Sequence, residues 1–173
     1  MMRQIIEYAL LFLVLVLLQV FLFSHLELSV YVNPLIYITF IILLPIETAP
    51  VLVLGLGLMM GLAMDVAMGA AGLNTLATLP VAFLRGALLR LTCSKDIVSD
   101  GGVPSMRRLG VLGFTRYVVA AVLLHSIVYF TMESATFDYF HLTLLRTAVS
   151  GLVTIGVVFL TSQIFNSQVS RVL

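Results

Sequence analysis

Long apolar stretches separated by short polar breaks make up most of this chain. Reading the apolar runs against charged and turn-forming residues predicts helices near residues 5–23, 30–44, 50–64, 72–91, 112–132 and 142–165. A helix that spans a membrane needs about 20 mostly apolar residues. The pattern therefore predicts an all-α integral membrane protein of six transmembrane helices, with residues 1–173 forming a single transmembrane domain.

Prolines mark the second predicted helix as irregular. Pro34 follows Asn33 near its start, and Pro45 and Pro50 bracket the polar break after it. Proline has no amide donor and disfavours helical geometry at the residue before it. We expect the short second and third helices to be tilted or partly re-entrant.

Composition supports a membrane protein. Of the 173 residues, 61% are hydrophobic and 10% charged, whereas a soluble domain has about 25% charged residues. The first apolar run is longer than the roughly 7 to 15 apolar residues of a signal peptide, so we expect it to be retained as a helix. The single cysteine, Cys93, cannot form an internal disulfide.

The distribution of lysine and arginine predicts an orientation with both termini in the cytoplasm, because short cytoplasmic loops retain positive charge. Arg85 should then reach toward the headgroups from the cytoplasmic end of the fourth helix, and Arg146 is the exception near the outer face. The basic residues placed in the cytoplasm are Arg3, Arg90, Lys95, Arg107, Arg108, Arg116 and Arg171.

A flexible cytoplasmic loop is predicted over residues 92–111. Its basic residues are Lys95, Arg107 and Arg108. They have two interpretations: ordinary positive-inside charge, or a dock for anionic lipid or a cytoplasmic partner. One Arg-Arg pair is too little for a nucleic-acid-binding face.

Small residues recur every four positions on the third helix. Gly57, Gly61, Asp65 and Gly69 share one helix face, and Gly72 opens the next segment. Small residues let membrane helices approach closely, so this face predicts a packing seam. The glycine spacing does not fit a phosphate-binding loop.

Polar residues predict a seam in the outward half of the bundle, built from the third, fifth and sixth helices. A membrane carboxylate needs a partner, and Arg146 is the partner we expect for Asp65, with Glu133 as the rival partner of Arg146. The seam is either internal pairing or a ligand or partner site open to the outside. Its residues are Asp65, Asn74, His125, Tyr129, Glu133 and Arg146.

Two polar stripes extend this seam. The fifth helix carries Tyr117, Ala121, His125, Tyr129 and Glu133 at four-residue steps. The sixth carries the hydroxyl residues Thr143, Thr147, Ser150, Thr154 and Thr161.

Catalytic constellations of intramembrane enzymes are missing from the sequence. There is no Gly-x-Ser motif and no H-E-x-x-H zinc motif. An aspartyl protease needs two carboxylates sharing a site, and the pattern places only Asp65 within the membrane. Cys93 has no sequence-adjacent base. We expect no enzymatic activity, no cofactor and no metal.

The layout and one motif resemble the rod shape-determining protein MreD family. The layout includes Asn33-Pro34-Leu35 at the start of the second helix, and the motif comprises the run from Gly55 to Asp65, then Gly69, Gly72-Leu73-Asn74 and Arg85. The layout covers almost the whole chain, and the motif covers about residues 55–90. The resemblance gives Asp65, Gly69 and Gly72 as signature positions, which we interpret as helix packing.

That resemblance implies a non-enzymatic component of the bacterial inner membrane that helps control cell shape during peptidoglycan synthesis. It implies a fold similar to the substrate-binding membrane subunits of energy-coupling-factor transporters. It also implies binding to MreC and, through MreC, action with MreB, a RodA-type glycan polymerase and a class B penicillin-binding transpeptidase. The alternative is a membrane subunit that captures a small, vitamin-type solute from outside.

Overall fold

The computed structural model describes residues 2–23, 33–94, 98–134 and 140–169. These residues are helical apart from their connections, and no strand occurs among them. The helices are α1 (Met2–Leu17), which continues as a π-helical turn (Leu18–Phe23), α2 (Thr39–Leu43), which follows a 3-10 turn (Ile36–Ile38), α3 (Pro50–Met68), α4 (Leu73–Thr92), α5 (Met106–Ser134) and α6 (Phe140–Val169).

Five helices within these ranges are long and apolar enough to cross a membrane. They are α1 with its π turn, α3, α4, α5 and α6, and the mean hydropathy of their best windows lies between 1.2 and 2.2. Large apolar side chains also cover the outside, such as Val51 at 83% and Val66 at 84% exposure. An apolar exterior is what a lipid-facing surface requires. The chain is thus an all-α protein with several candidate membrane spans.

The predicted second helix is wrong in extent. Of its described residues, Asn33 to Leu35 are not helical, and only residues 36–43 form helical turns. Eight helical residues rise about 12 Å, too little to span a bilayer. The cause is local, because Pro34 has no amide donor and keeps Asn33 out of helical geometry.

The short α2 and its preceding 3-10 turn lie at the centre of the bundle. Every residue from Leu35 to Leu44 is at most 2% exposed. Around this segment α3 packs on α4, α4 on α5 and α5 on α6, while α1 packs against the 3-10 turn and α2. The longer helices thus enclose a segment of their own chain.

Three helix boundaries differ from the prediction by four residues or more. α3 continues to Met68, α6 continues to Val169, and α5 begins at Met106, inside the predicted loop. Gly110 interrupts α5 with φ 71° and ψ 159°, a conformation accessible to glycine because it has no Cβ. The loop is consequently shorter than 92–111.

Candidate functional site

The non-helical break before α2 is the most unusual feature of the interior. Irregular backbone at membrane depth is tolerated only where protein or water satisfies its polar groups. Here the Gln19 side chain, which is fully buried, takes the role of a backbone amide: its Nε2 donates to the Pro34 carbonyl at 3.0 Å, and its Oε1 accepts from the Ile36 N–H at 2.7 Å. The π turn of α1 therefore supports the break directly.

The hydroxyl stripe of α6 supports the same break from the other side. The Asn33 N–H donates to Ser150 Oγ at 2.9 Å, and the Leu35 N–H donates to Thr154 Oγ1 at 3.1 Å. Both hydroxyl residues are 1% exposed. Their spacing of four residues places them on one helix face, along which the non-helical backbone of residues 33–35 runs.

Three helices cap the carbonyl end of α2. Tyr117 of α5 donates its hydroxyl to the Ile42 carbonyl at 3.2 Å, and Tyr8 of α1 donates to the Leu43 carbonyl at 3.1 Å. Arg85 of α4 donates from Nη2 to the Leu44 carbonyl. The last carbonyls of a helix have no internal partner and favour a nearby cation, so these contacts satisfy them.

The predicted reach of Arg85 toward the headgroups is therefore wrong. Its side chain is only 3% exposed and points into the bundle. The reason is the α2 carbonyl end, which offers a buried acceptor that sequence position alone does not reveal.

His125 and Tyr37 join α5 to the turn before α2. The His125 Nε2 atom and the Tyr37 hydroxyl are 2.9 Å apart, and both residues are fully buried. His125 also stacks on Tyr129, with ring centroids 6.5 Å apart. The other ring nitrogen of His125, Nδ1, is buried without a hydrogen-bond partner among the described residues. The polar stripe of α5 thus faces the centre of the bundle.

The Asp65 carboxylate caps the start of α4. It accepts hydrogen bonds from the Asn74 N–H (2.9 Å), the Asn74 side-chain amide (3.0 Å), the Thr75 N–H (3.1 Å) and the Thr75 hydroxyl (2.5 Å). The residue at the N-cap position is Gly72, which has no side chain that could accept these hydrogen bonds. An anion is also favoured at a helix N-terminus. Asp65 supplies the missing cap from the preceding helix.

The predicted pairing of Asp65 with Arg146 is wrong. Arg146 Nη1 lies 2.9 Å from Glu133 Oε2, with both side chains about one quarter exposed, and its guanidinium lies 5.1 Å from the Phe130 ring centroid. The rival pairing to Glu133 is the one observed. The seam predicted from the third, fifth and sixth helices is also wrong in its helices, because Asp65 bonds to Asn74 and Thr75 of α4.

The glycines of the predicted seam have two different roles. A Cβ on Gly61 would stand 2.5 Å from the Thr75 Cα, and one on Gly57 would stand 2.8 Å from the Ala82 Cβ, so both positions permit close approach of α3 and α4. Gly69 and Gly72 have open space around them but φ values of +64° and +88°. The packing role predicted for these two is wrong, because they form the left-handed turn that ends α3 and starts α4.

Part of the predicted basic loop is ordered against the α2–α3 connection. The Ile46 N–H donates to the Gly102 carbonyl at 2.9 Å, and the Gly102 N–H donates to Glu47 Oε2 at 2.6 Å. Arg108 donates to the Gly101 carbonyl. Arg107 is exposed, and Lys95 lies outside the described residues.

Sequence reasoning missed Gln19 and the partners of Ser150 and Thr154. An isolated glutamine within a strongly apolar helix is a usable signal, since a polar side chain in a membrane interior requires a partner. The partner itself was not predictable, because backbone carbonyl and amide groups carry no sequence signal.

No family model, curated protein or solved structure matches this chain. The structure therefore defines the class of protein and not a family. It is an all-α protein whose several apolar helices are compatible with a multi-pass membrane protein. Its interior contains a broken segment that is bound by side chains of the surrounding helices.

Proposed function

We propose that this protein is a non-enzymatic scaffold of the bacterial inner membrane, similar to MreD, that binds MreC within the cell-elongation peptidoglycan synthesis complex. The proposed architecture is a six-span bundle with both termini in the cytoplasm, in which the broken segment ending at α2 completes the second crossing. This orientation rests on the positive-inside distribution of arginine.

One observation supports a scaffold over a solute-binding subunit. The centre of the bundle is filled by Ile, Leu and Phe side chains of the chain's own residues 35–44, all at most 2% exposed. Most of the candidate seam residues also have partners within the bundle: Asp65 bonds to Asn74, His125 to Tyr37 of the 3-10 turn, and Glu133 to Arg146. An interior filled in this way suits a protein that acts through its surface.

Cross-linking in native membranes tests the proposal. A tagged copy should capture a MreC-type protein, together with the glycan polymerase and the transpeptidase. Loss of the chain in its rod-shaped host should produce rounded cells, and the wild-type copy should restore rods. The control is a tagged, unrelated polytopic protein at matched abundance. Normal rods after complete loss, with no MreC in the captured material, would rule the scaffold out.

The alternative function, capture of a vitamin-type solute, is favoured by the break before α2. Discontinuous membrane segments form the solute sites of many transporters, where unwound backbone faces the ligand. The buried Nδ1 of His125, which has no hydrogen-bond partner in the described part of the chain, lies on the helix that packs beside this break.

A thermal-shift screen against vitamins and other small solutes separates the two functions. A ligand at a hundredfold excess over its dissociation constant adds about 2.7 kcal/mol to the free energy of unfolding. Stabilisation of the wild type that is lost in His125→Ala would favour solute capture. An unchanged unfolding temperature across the screen, together with MreC capture, would favour the scaffold.

A further inference from the structure

Three exposed arginines lie where α4 ends and α5 begins. They are Arg90, Arg107 and Arg116. No carboxylate of the described residues forms an ion pair with any of them. The neighbouring Arg108 differs, because its guanidinium donates to the Gly101 and Asp100 carbonyls. The three arginines are therefore cations for which the described part of the protein provides no counter-charge.

A contact between the two helices fixes the relative depth of two of these arginines. A Cβ on Gly113 would stand 3.4 Å from the Cys93 sulfur, so these two positions are opposite each other on antiparallel neighbours. Arg90 and Arg116 are each three residues further into their helices, about 4.5 Å along the axis. They consequently lie at a similar depth, about one turn further into the bundle than the Cys93–Gly113 contact.

The surroundings of these arginines are apolar and outward-facing. Leu91 is 83% exposed, and on α5 Leu112 is 62% and Leu123 40% exposed. Leu112, Arg116 and Leu123 are spaced by four and seven residues, so Arg116 belongs to the same outward stripe. If this stripe faces lipid, a guanidinium on it requires compensation from outside the protein.

We propose that Arg90, Arg107 and Arg116 bind the headgroup phosphates of anionic phospholipids, with Arg116 as the principal contact. A guanidinium suits this ligand because its planar donors match phosphate oxygens in pairs and it is weakly hydrated. Its long stem lies along the apolar stripe while the charged group reaches the phosphate level. The two arginines at equal depth on neighbouring helices define a belt at that level.

Native mass spectrometry of the detergent-solubilised full chain tests this. Phosphatidylglycerol and phosphatidylcholine are titrated separately at fixed ionic strength. The wild type should retain phosphatidylglycerol preferentially, and Arg116→Gln should weaken that retention about fivefold, the contribution of one basic residue near an anionic surface. Arg116→Lys should recover part of the loss, because the charge is kept and the paired donors are not. Leu112→Gln, one turn earlier on the stripe, should leave the preference unchanged.

Two measurements keep the test decisive if a variant folds poorly. The preference of the wild type for phosphatidylglycerol should fall as sodium chloride is raised, because salt screens exposed charges. Excess free inorganic phosphate should not displace the lipid, because it lacks acyl chains to lie against the apolar stripe. Equal retention of both lipids by the wild type, or an unchanged preference in folded Arg90→Gln/Arg107→Gln/Arg116→Gln protein, would overturn the proposal.

Discussion

The Asp65 carboxylate accepts a 2.9 Å hydrogen bond from the backbone N–H of Asn74, which ties the end of α3 to the start of α4. The same carboxylate oxygen also accepts from the Asn74 side-chain amide. A single acidic residue thus replaces the N-cap that Gly72 cannot provide.

Replacing this carboxylate should loosen the α3–α4 connection. Asp65→Asn keeps one acceptor oxygen but directs an amide toward the donors of Asn74 and Thr75, so we expect a loss of about 2 kcal/mol, as for a strong helix cap. Unfolding in a mixed-detergent titration measures it. Asp65→Asn should couple with Thr75→Val and be additive with Arg146→Gln, since contacting residues couple and separate ones do not. Strong coupling to Arg146→Gln would indicate that Asp65 and Arg146 interact, which the structure contradicts.

The ion pair of Arg146 with Glu133 should contribute little stability. Both side chains are partly exposed, at 26% and 28%, and such pairs contribute about 0 to 1 kcal/mol. We expect Arg146→Gln to lower the free energy of unfolding by less than Asp65→Asn does. Arg146→Lys, which keeps the charge, is the matched control. A larger loss in Arg146→Gln than in Asp65→Asn would mean that this pair contributes more to stability than the α4 cap does.

Enlarging Gly61 should separate α3 from α4. A Cβ there already meets the Thr75 backbone at 2.5 Å, so Gly61→Leu should cost at least the roughly 1 to 3 kcal/mol of overpacking and reduce membrane abundance. Gly55→Leu is the control on the same helix, because a Cβ at Gly55 meets nothing within 4 Å. Quantitative immunoblotting and thermal unfolding compare the two. Equal abundance and stability of both variants would show that α3 does not pack on α4 through this face.

Gln19 should be essential for the break before α2. Gln19→Leu leaves the Pro34 carbonyl and the Ile36 N–H without their partner, and each buried unsatisfied group costs about 1 to 3 kcal/mol. Gln19→Glu keeps the acceptor for Ile36 and should be less damaging when protonated. Gln4→Leu, at an exposed position of the same helix, is the control. If Gln19→Leu unfolds at the same temperature as the wild type, the hydrogen bonds of Gln19 are not needed to stabilise the break.

Reporter fusions test the orientation. A fusion after Ser99 and one after Leu173 should both report cytoplasm, and one at Thr136 should report the outer side, because arginine and lysine favour the cytoplasmic loops. Leu173 and Thr136 lie outside the described residues. A cytoplasmic signal at Thr136 would contradict six spans.

The sequence by itself determined the all-helical class and the approximate positions of α1, α3, α4, α5 and α6. Hydropathy suffices for this because a helix that crosses lipid satisfies its backbone internally and needs only a long apolar run. The four-residue spacing of Gly57 and Gly61 likewise placed both on one face, where they permit the contact with α4. Pro34 itself predicted an irregularity in the second helix, but the sequence did not show how many residues would be non-helical.

Only the tertiary structure decided which polar group binds which. The sequence predicts a similar membrane depth for Asp65 and Arg146 but not their direction around the bundle axis, and the predicted depth alone made them look like partners. Asp65 turns to the free N–H groups of α4, and Arg146 turns to Glu133. Arg85 points inward for the same reason: its acceptor is the Leu44 carbonyl, a backbone group that becomes available only where α2 ends beside α4.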